Sequence, residues 1–127
     1  MEKKSVLIVE DDQFFSGLVA QKLNQAGFEV LLAGGGEEAL NVLKEKTPSL
    51  IILDLMMPGM DGFEVLSRIK KEEKTKEIPT VVLSNLGQRD EVDRAISLGA
   101  DDFLIKVNFT LDEIVEKVKE IIQKKYL

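Results

Sequence analysis

The chain of 127 residues is 44% hydrophobic and 31% charged, with a formal net charge of -6. These values predict one globular domain with its own core, and the negative charge argues against non-specific nucleic-acid binding by the whole surface. The sequence contains no cysteine and no histidine, which excludes disulfides, thiolate zinc sites and histidine bases. Any metal site must therefore use oxygen ligands, which favours Mg2+ or Ca2+.

No apolar run approaches the length of a membrane span, and the run near the N-terminus is too short for a signal peptide. No repeat or linker divides the chain. We therefore expect a cytoplasmic protein without membrane contact that is complete as one domain over residues 1–127.

Short runs rich in leucine, isoleucine and valine alternate with amphipathic segments along the chain. The runs predict buried β-strands, namely Val6–Val9, Phe28–Ala33, Leu50–Leu53, Thr80–Ser84 and Phe103–Ile105. Apolar residues spaced three and four apart predict helices over Phe14–Ala26, Glu37–Lys46, Phe63–Lys74, Glu91–Leu98 and Leu111–Ile122. Alternating strands and helices predict an α/β fold, a three-layer sandwich in which a doubly wound five-stranded parallel sheet has helices on both faces.

Several residues at the predicted helix ends have the chemistry of caps and turns. Asp12 is expected to be the N-cap of the first helix. Thr110 and Glu113 have the spacing of a capping box at the start of the last helix. The pairs Asp61–Gly62 and Asp101–Asp102 are interpreted as a turn and a solvated bend.

Four of the predicted strands end in polar or charged side chains. Glu10 and Asp11 follow the first strand, and Asp54 follows the third. Ser84 ends the fourth strand, and Lys106 follows the fifth. Because the carboxyl ends of parallel strands share one edge, where open α/β sheets bind ligands, these residues form a candidate site.

The carboxylates of Glu10, Asp11 and Asp54 would repel one another at neutral pH unless a cation joined them. Mg2+ is the natural cation, because it binds one or two carboxylates and leaves room for phosphate oxygens. An aspartate carboxylate is also a nucleophile toward phosphorus and gives an aspartyl phosphate. Phosphoryl transfer needs mainly alignment and charge neutralisation, which Mg2+, Lys106 and the Ser84 hydroxyl would supply.

Each of these residues also has a structural interpretation. Asp11 and Asp12 could serve the first helix as dipole partner and N-cap. Lys106 could be a solvated strand end, and Ser84 could belong to the turn that follows it. Asp54 is the hardest to explain in this way, because an unpaired carboxylate at the end of a core strand is costly.

In chain order these motifs resemble the receiver domains of bacterial two-component response regulators, the family that includes the chemotaxis response regulator. The matching stretches cover essentially the whole chain and are Val6–Asp12, Leu53–Gly62, Pro79–Ser84, Gly99–Phe103 and Lys106. Each is weak alone, but the combination is specific. The resemblance implies a flavodoxin-like sheet of order 2-1-3-4-5, with the first and third strand ends side by side at the switch point.

Carried over by position, Asp54 resembles the phospho-acceptor of the family. Glu10 and Asp11 resemble the acidic pair that holds Mg2+ with Asp54, and the backbone carbonyl of Met56 resembles a further ligand. Ser84 resembles the switch hydroxyl that turns toward the phosphoryl group.

Lys106 resembles the lysine that pairs with the phosphoryl group, and Phe103 resembles the aromatic residue that follows the hydroxyl inward. Three positions depart from the family pattern. Phe103 stands where tyrosine is common and has no hydroxyl group to donate a hydrogen bond. Val107 stands where a proline, often in a cis bond, usually follows the lysine, which puts the geometry of that loop in question. Asn85 is larger and more polar than the small residue that usually clears a path for the aromatic side chain.

Two further side chains bear on the lifetime of a phosphoryl group. Met56 and Leu86 occupy the positions that flank the attacking water in the family. Both are apolar and cannot orient water, which predicts slow loss of the phosphoryl group.

The resemblance implies a phosphorylation switch rather than an enzyme with an external substrate. A sensor histidine kinase, a phosphotransfer protein or a small phosphodonor would phosphorylate Asp54, and the added charge would bias the face formed by the fourth helix, fifth strand and fifth helix. No output domain follows the last predicted helix, so we expect signalling through contacts with an unidentified output protein, without direct nucleic-acid binding. The expected state is a monomer or a phosphorylation-dependent dimer.

Two other classes of function remain as alternatives. In a pseudo-receiver the same fold would be a constitutive interaction or dimerisation module; Val107 and Asn85 favour that alternative, whereas the intact acidic site favours the switch. A haloacid-dehalogenase-type phosphatase would need the motif Asp-x-Asp, but Met56 stands where the second aspartate, the general acid, would be. A flavodoxin would bind phosphate after the first strand, where Glu10 and Asp11 would repel it.

Overall fold

The computed structural model describes residues 3–126, which form one parallel sheet flanked by helices. The strands are β1 (Ser5–Val9), β2 (Glu29–Ala33), β3 (Leu50–Leu53), β4 (Thr80–Ser84) and β5 (Asp102–Ile105). The helices are α1 (Gln13–Gln25), α2 (Gly36–Glu45), α3 (Gly62–Lys71), α4 (Arg89–Ser97) and α5 (Leu111–Tyr126). A 3-10 turn, Lys106–Asn108, joins β5 to α5. Every predicted strand and helix is present; the ends of the predicted domain, residues 1–2 and 127, lie outside the described residues.

The sheet has the strand order β2-β1-β3-β4-β5, and all neighbouring strands are parallel. This confirms the predicted doubly wound, flavodoxin-like topology. The chain passes from β1 outward to β2 and then returns to the other side of β1 as β3, so the order reverses between β1 and β3. Ligands bind outside the carboxyl ends of the strands at such a reversal.

Two hydrophobic clusters cover the two faces of the sheet. Side chains of α1 and α5 pack on one face, and side chains of α2, α3 and α4 pack on the other. β3 is buried on both faces: Leu50 and Ile52 belong to the first cluster, and Ile51 and Leu53 belong to the second. Burying a side chain of this size contributes about 2 kcal/mol, so β3 is firmly packed and fixes the position of Asp54, the residue that follows it.

Within residues 3–126, no helix is both long and apolar enough to cross a bilayer.

Glu10 and Asp54, the residues that follow β1 and β3, are still hydrogen-bonded to the neighbouring strands through their backbone N–H groups. Val9 lies opposite Leu53 in the β1–β3 register. The next residue of each strand continues the ladder: the Asp54 N–H donates to the Val9 carbonyl at 3.0 Å, and the Glu10 N–H donates to the Ala33 carbonyl at 3.0 Å. Both carboxylates therefore leave from a fixed backbone.

The start of α3 lies directly behind Asp54. The Asp61 carboxylate accepts the Phe63 N–H at 2.7 Å and is the N-cap of α3, so Asp61 begins a helix and is more than a turn residue. A Cβ on Gly62 would lie 2.6 Å from the Asp54 carbonyl oxygen. Only glycine therefore fits where α3 approaches the end of β3.

The exposed position of Phe14 differs from the helical spacing found in the sequence. Phe14 is 78% exposed, whereas Val19 and Leu23 are buried and Phe15 packs against the same cluster. The spacing of α1 is compatible with two overlapping stripes, and the sheet selects the stripe of Phe15, Val19 and Leu23. Phe14 points away from it.

Asp101 is not merely part of a solvated bend. Its Oδ2 accepts the Thr80 N–H at 2.7 Å and pairs with Lys70 Nζ at 3.2 Å, and Lys70 also donates to the Ile78 carbonyl at 2.8 Å. Asp101 lies in an exposed bend, as predicted, and its carboxylate in addition links α3 to the beginning of β4. The prediction of a bend was wrong for Asp102, which is the first residue of β5. The neighbouring Asp102 pairs with Lys117 of α5 at 3.3 Å.

Candidate functional site

Three carboxylates converge at the carboxyl edge of the sheet. Glu10, Asp11 and Asp54 each offer an oxygen, and these oxygens lie within 4.8 Å of one another. Glu10 and Asp54 are each only 4% exposed, whereas Asp11 is exposed. The site is therefore a buried acidic pocket with one side open to solvent.

Lys106 is the cation that joins this group. Its Nζ lies 2.5 Å from Glu10 Oε1 and 3.1 Å from Asp54 Oδ2, and its side chain is only 15% exposed. The lysine begins the 3-10 turn after β5, and residues 3–126 contain no cis peptide bond. With Val107 as the next residue, Lys106 still reaches both carboxylates in this structure.

The pocket holds more negative charge than its lysine neutralises. Burial raises the pKa of Glu10 to about 7, and the negative charge of Asp54 acts in the same direction, although the hydrogen bond from Lys106 opposes it. Burial alone would lower the pKa of Lys106, but its hydrogen bond to Glu10 and the charge of Asp54 outweigh this effect and raise it. A site of this kind favours a further cation.

The backbone after Asp54 is folded back onto its carboxylate. Asp54 Oδ1 accepts the Met56 N–H at 3.1 Å, so the main chain of Met56 borders the pocket. The Met56 side chain is 55% exposed and points into solvent rather than into the core. Among residues 3–126, Asp54 Oδ1 and Oδ2 each have one protein partner.

Ser84 lies on β4, next to β3, and Phe103 lies on β5, one strand further out. Ser84 is fully buried at the end of β4, and its Oγ accepts the Leu86 N–H at 3.3 Å. Within the described residues, it makes no hydrogen bond to the carboxylates. Phe103 lies opposite Val82 in the β4–β5 register and is half-buried against the core together with Leu86. The structure therefore brings together Glu10, Asp11, Asp54 and Lys106, whereas Ser84 and Phe103 lie one and two strands away from Asp54.

One residue near the site was not singled out from the sequence. The ring centroid of Phe15 lies 4.7 Å from Lys106 Nζ. In sequence, Phe15 was one of several apolar residues with helical spacing. Its position in the first helical turn after the acidic residues could have indicated that it lies near the carboxyl edge.

Replacing Lys106 by methionine is expected to lower the free energy of unfolding by about 3 kcal/mol, because Glu10 and Asp54 are then buried without their cation. Urea denaturation in the presence of a chelator measures this change. Lys119→Met is the matched control, because Lys119 is half exposed and its pair with Glu116 spans 3.6 Å; such surface pairs contribute little. Equal stability of the two variants would contradict the expectation.

A five-stranded parallel sheet of order 2-1-3-4-5 with five helices is a flavodoxin-like fold of the kind found in receiver domains. A sequence model described as the response regulator receiver domain matches residues 6–119, and the chain belongs to this family. Receiver domains of two-component systems are phosphorylation-based signalling switches and are generally not classed as enzymes. They bind Mg2+ at an acidic pocket.

Individual proteins show the same similarity. The phosphate regulon transcriptional regulatory protein PhoB of Pseudomonas aeruginosa is 35% identical over 124 residues, which is 98% of this chain and 54% of that protein. The structure of the phosphorylated cyanobacterial phytochrome response regulator RcpA is 31% identical, with a TM-score of 0.82 over 94% of this chain and 91% of that one. The Mn(2+)-bound form of response regulator Rcp1 is 32% identical, with a TM-score of 0.79 over 93% and 91%. The chain spans about half the length of the curated relatives it matches.

Proposed function

We propose that Asp54 is the phospho-acceptor of this receiver domain and that a sensor histidine kinase or a phosphotransfer protein is the donor. The observation that supports this most directly is the pocket itself. Asp54 ends a strand buried on both faces, shares the lysine with Glu10, and keeps one carboxylate oxygen bonded only to a backbone N–H. A buried carboxylate held in this way is oriented for attack on phosphorus.

The residues of the pocket fit a hard divalent cation. All candidate ligands are oxygens, as Mg2+ requires, and they would be supplied by Glu10, Asp11, Asp54 and the backbone carbonyl of Met56. The carboxylate oxygens already lie within 4.8 Å of one another, and one structurally similar response regulator is described in a Mn(2+)-bound form. When bound, Mg2+ would offset the negative charge on the transferring phosphoryl oxygens.

The phosphoryl transfer step itself needs little covalent chemistry from the protein. An Asp54 carboxylate oxygen forms a bond to phosphorus while the bond from phosphorus to the donor's histidine nitrogen breaks, and the histidine keeps the electron pair. Lys106, 3.1 Å from Asp54 Oδ2, stabilises the charge on the phosphoryl oxygens. The chain promotes only its own phosphorylation and dephosphorylation in this scheme.

The phosphoryl group would then change the neighbouring strands. Ser84 is buried one strand away and holds the Leu86 N–H, so its rotation toward Asp54 would release the loop between β4 and α4. Phe103 packs against the same hydrophobic cluster as Leu86 and would follow. Such a local charge change shifts an element that has two arrangements, here the face formed by α4, β5 and α5.

The output of the switch is proposed to be a contact between that face and an unidentified protein, or a phosphorylation-dependent dimer of an otherwise monomeric chain. The curated relatives of about twice the length are described as transcriptional regulators, and direct nucleic-acid binding by the present domain is not part of the proposal. The cytoplasmic location expected from the sequence stays a prediction.

The phosphorylated protein is expected to lose its phosphoryl group slowly, because Met56 and Leu86 offer no group that orients water. Met56→Glu is expected to shorten the half-life about tenfold, since a carboxylate beside the phosphoryl group can position the attacking water. The measurement is the decay of the phosphorylated mass in magnesium buffer after removal of the donor. A half-life of seconds for the unmodified sequence, or no change in Met56→Glu, would contradict this explanation.

The test of the proposed function is incubation with Mg2+ and acetyl phosphate followed by intact-mass measurement. A gain of one phosphoryl mass that requires Mg2+ supports the switch. No gain with acetyl phosphate or with phosphorylated histidine donors would favour the pseudo-receiver alternative, in which the fold is a constitutive interaction module.

A further inference from the structure

The ammonium of Lys106 has a contact besides its two carboxylates. The centroid of the Phe15 ring lies 4.7 Å from Nζ. Phe15 is half-buried and the lysine side chain is 15% exposed, so the ring and the ammonium meet where water is largely excluded. An ammonium over an aromatic face is attracted by the ring quadrupole, and more strongly when it is desolvated.

The contacts that place this ring form a closed circuit. Glu10 Oε2 accepts the Asp12 N–H at 3.1 Å, and Asp12 Oδ1 accepts the Phe15 N–H at 3.1 Å. The Phe15 ring contacts Lys106, and Lys106 pairs with Glu10. The acidic residues, the N-cap of α1 and the lysine are therefore one connected unit, in which the ring position affects the lysine directly.

The aromatic contact differs from the carboxylate contacts in one chemical respect. Under the proposed function Glu10 gives an oxygen to Mg2+, so its bond to Lys106 competes with metal binding. The ring offers the metal no oxygen and stays available to the ammonium when Glu10 does not. The residue after the lysine gives little packing support, because Val107 is 79% exposed.

We propose that Phe15 is a positioning residue, whose ring holds Lys106 Nζ beside Asp54 and would continue to do so if Glu10 were bound to the metal. The inference rests on the proposed function and assigns Phe15 a role in the rate of phosphoryl uptake. Loss of the ring face is expected to slow uptake about fivefold, the effect of one partly desolvated cation–π contact on a rate.

The experiment compares phosphoryl uptake by intact mass at saturating Mg2+ and acetyl phosphate. Phe15→Leu removes the ring, Phe15→Tyr keeps it, and Phe14→Leu makes the same change at the adjacent, 78% exposed position. We expect Phe15→Leu to be about fivefold slower, and Phe15→Tyr to stay within about twofold of the original rate. Phe14→Leu should be unchanged.

The same Phe15→Leu change is then made together with Lys106→Met. If the ring acts through the lysine, it has no further effect on uptake once the lysine is absent, because the two changes are coupled. A merely structural role of Phe15 would slow uptake equally with and without Lys106, and that result would overturn the inference.

If Phe15→Leu took up phosphoryl at the same rate as the unmodified chain, that result would also overturn the inference. Failure of the unmodified chain to take up phosphoryl would instead refute the proposed function, which separates the two. Should Phe15→Leu lose its circular-dichroism signature, Phe15→Met, whose flexible side chain fills irregular apolar space, takes its place under the same criteria.

Discussion

Asp54→Ala is expected to gain no phosphoryl mass on incubation with Mg2+ and acetyl phosphate, whereas the unmodified chain gains one phosphoryl group. The substitution removes the proposed nucleophile, so the rate should fall on the order of 10³-fold or more, as it does when other nucleophiles are deleted. The fold should persist, because the Glu10–Lys106 pair remains and no buried cation is left alone. Intact-mass spectra over time measure the loss.

The control for this variant is an aspartate outside the pocket. Asp112→Ala changes a side chain that is 80% exposed and pairs only with Lys22 at 3.2 Å, and it should be phosphorylated like the unmodified chain. Uptake by Asp54→Ala at the original rate would move the acceptor to another residue and remove the basis for the mechanism proposed above.

Asp11→Asn is expected to weaken Mg2+ binding by at least about tenfold. Even residues that only support a metal ligand commonly change affinity 10- to 100-fold, and a direct carboxylate ligand should count for no less. Asp11 is the suitable position because it is exposed and borders the pocket, so its loss should not disturb the buried Glu10–Lys106–Asp54 contacts. Isothermal titration with MgCl2 measures the affinity.

The neighbouring Asp12 provides a matched control. Its carboxylate caps α1 by accepting the Phe15 N–H, and asparagine is as good an N-cap as aspartate. Asp12→Asn therefore removes one negative charge at the adjacent position and preserves the helix. If both variants lost the same Mg2+ affinity, the effect would reflect the general negative potential and not a ligand at Asp11.

The fold could be predicted well because the hydrophobic patterns and the helix-capping residues indicated the same strands and helices. The run Leu50–Leu53 is apolar throughout and is buried on both faces, and the capping pair Thr110 and Glu113 makes both expected hydrogen bonds at 2.8 and 3.1 Å. The carboxyl-edge rule then placed Glu10, Asp11, Asp54 and Lys106 near one another without any knowledge of distances.

Contacts that depend on the rotation of helices could not be read from spacing. Phe14 and Phe15 are adjacent and equally apolar, yet only the packing of α1 against the sheet decides that one is 78% exposed and the other lies over Lys106. The structural role of Asp101 was similarly ambiguous, since it depends on an ion pair with Lys70, which lies 31 positions away in α3. Local sequence carries no signal for such pairs.

The pocket draws its members from both ends of the chain. Glu10 follows the first strand and Lys106 follows the last, 96 positions later, so the pair forms only when β1, β3, β4 and β5 have assembled. A chain that has been cut before β5, or in which β5 has not docked, lacks Lys106 in the pocket and should be phosphorylated only slowly. Under the proposed function, the rate of phosphoryl uptake would therefore also report whether β5 has docked onto the sheet.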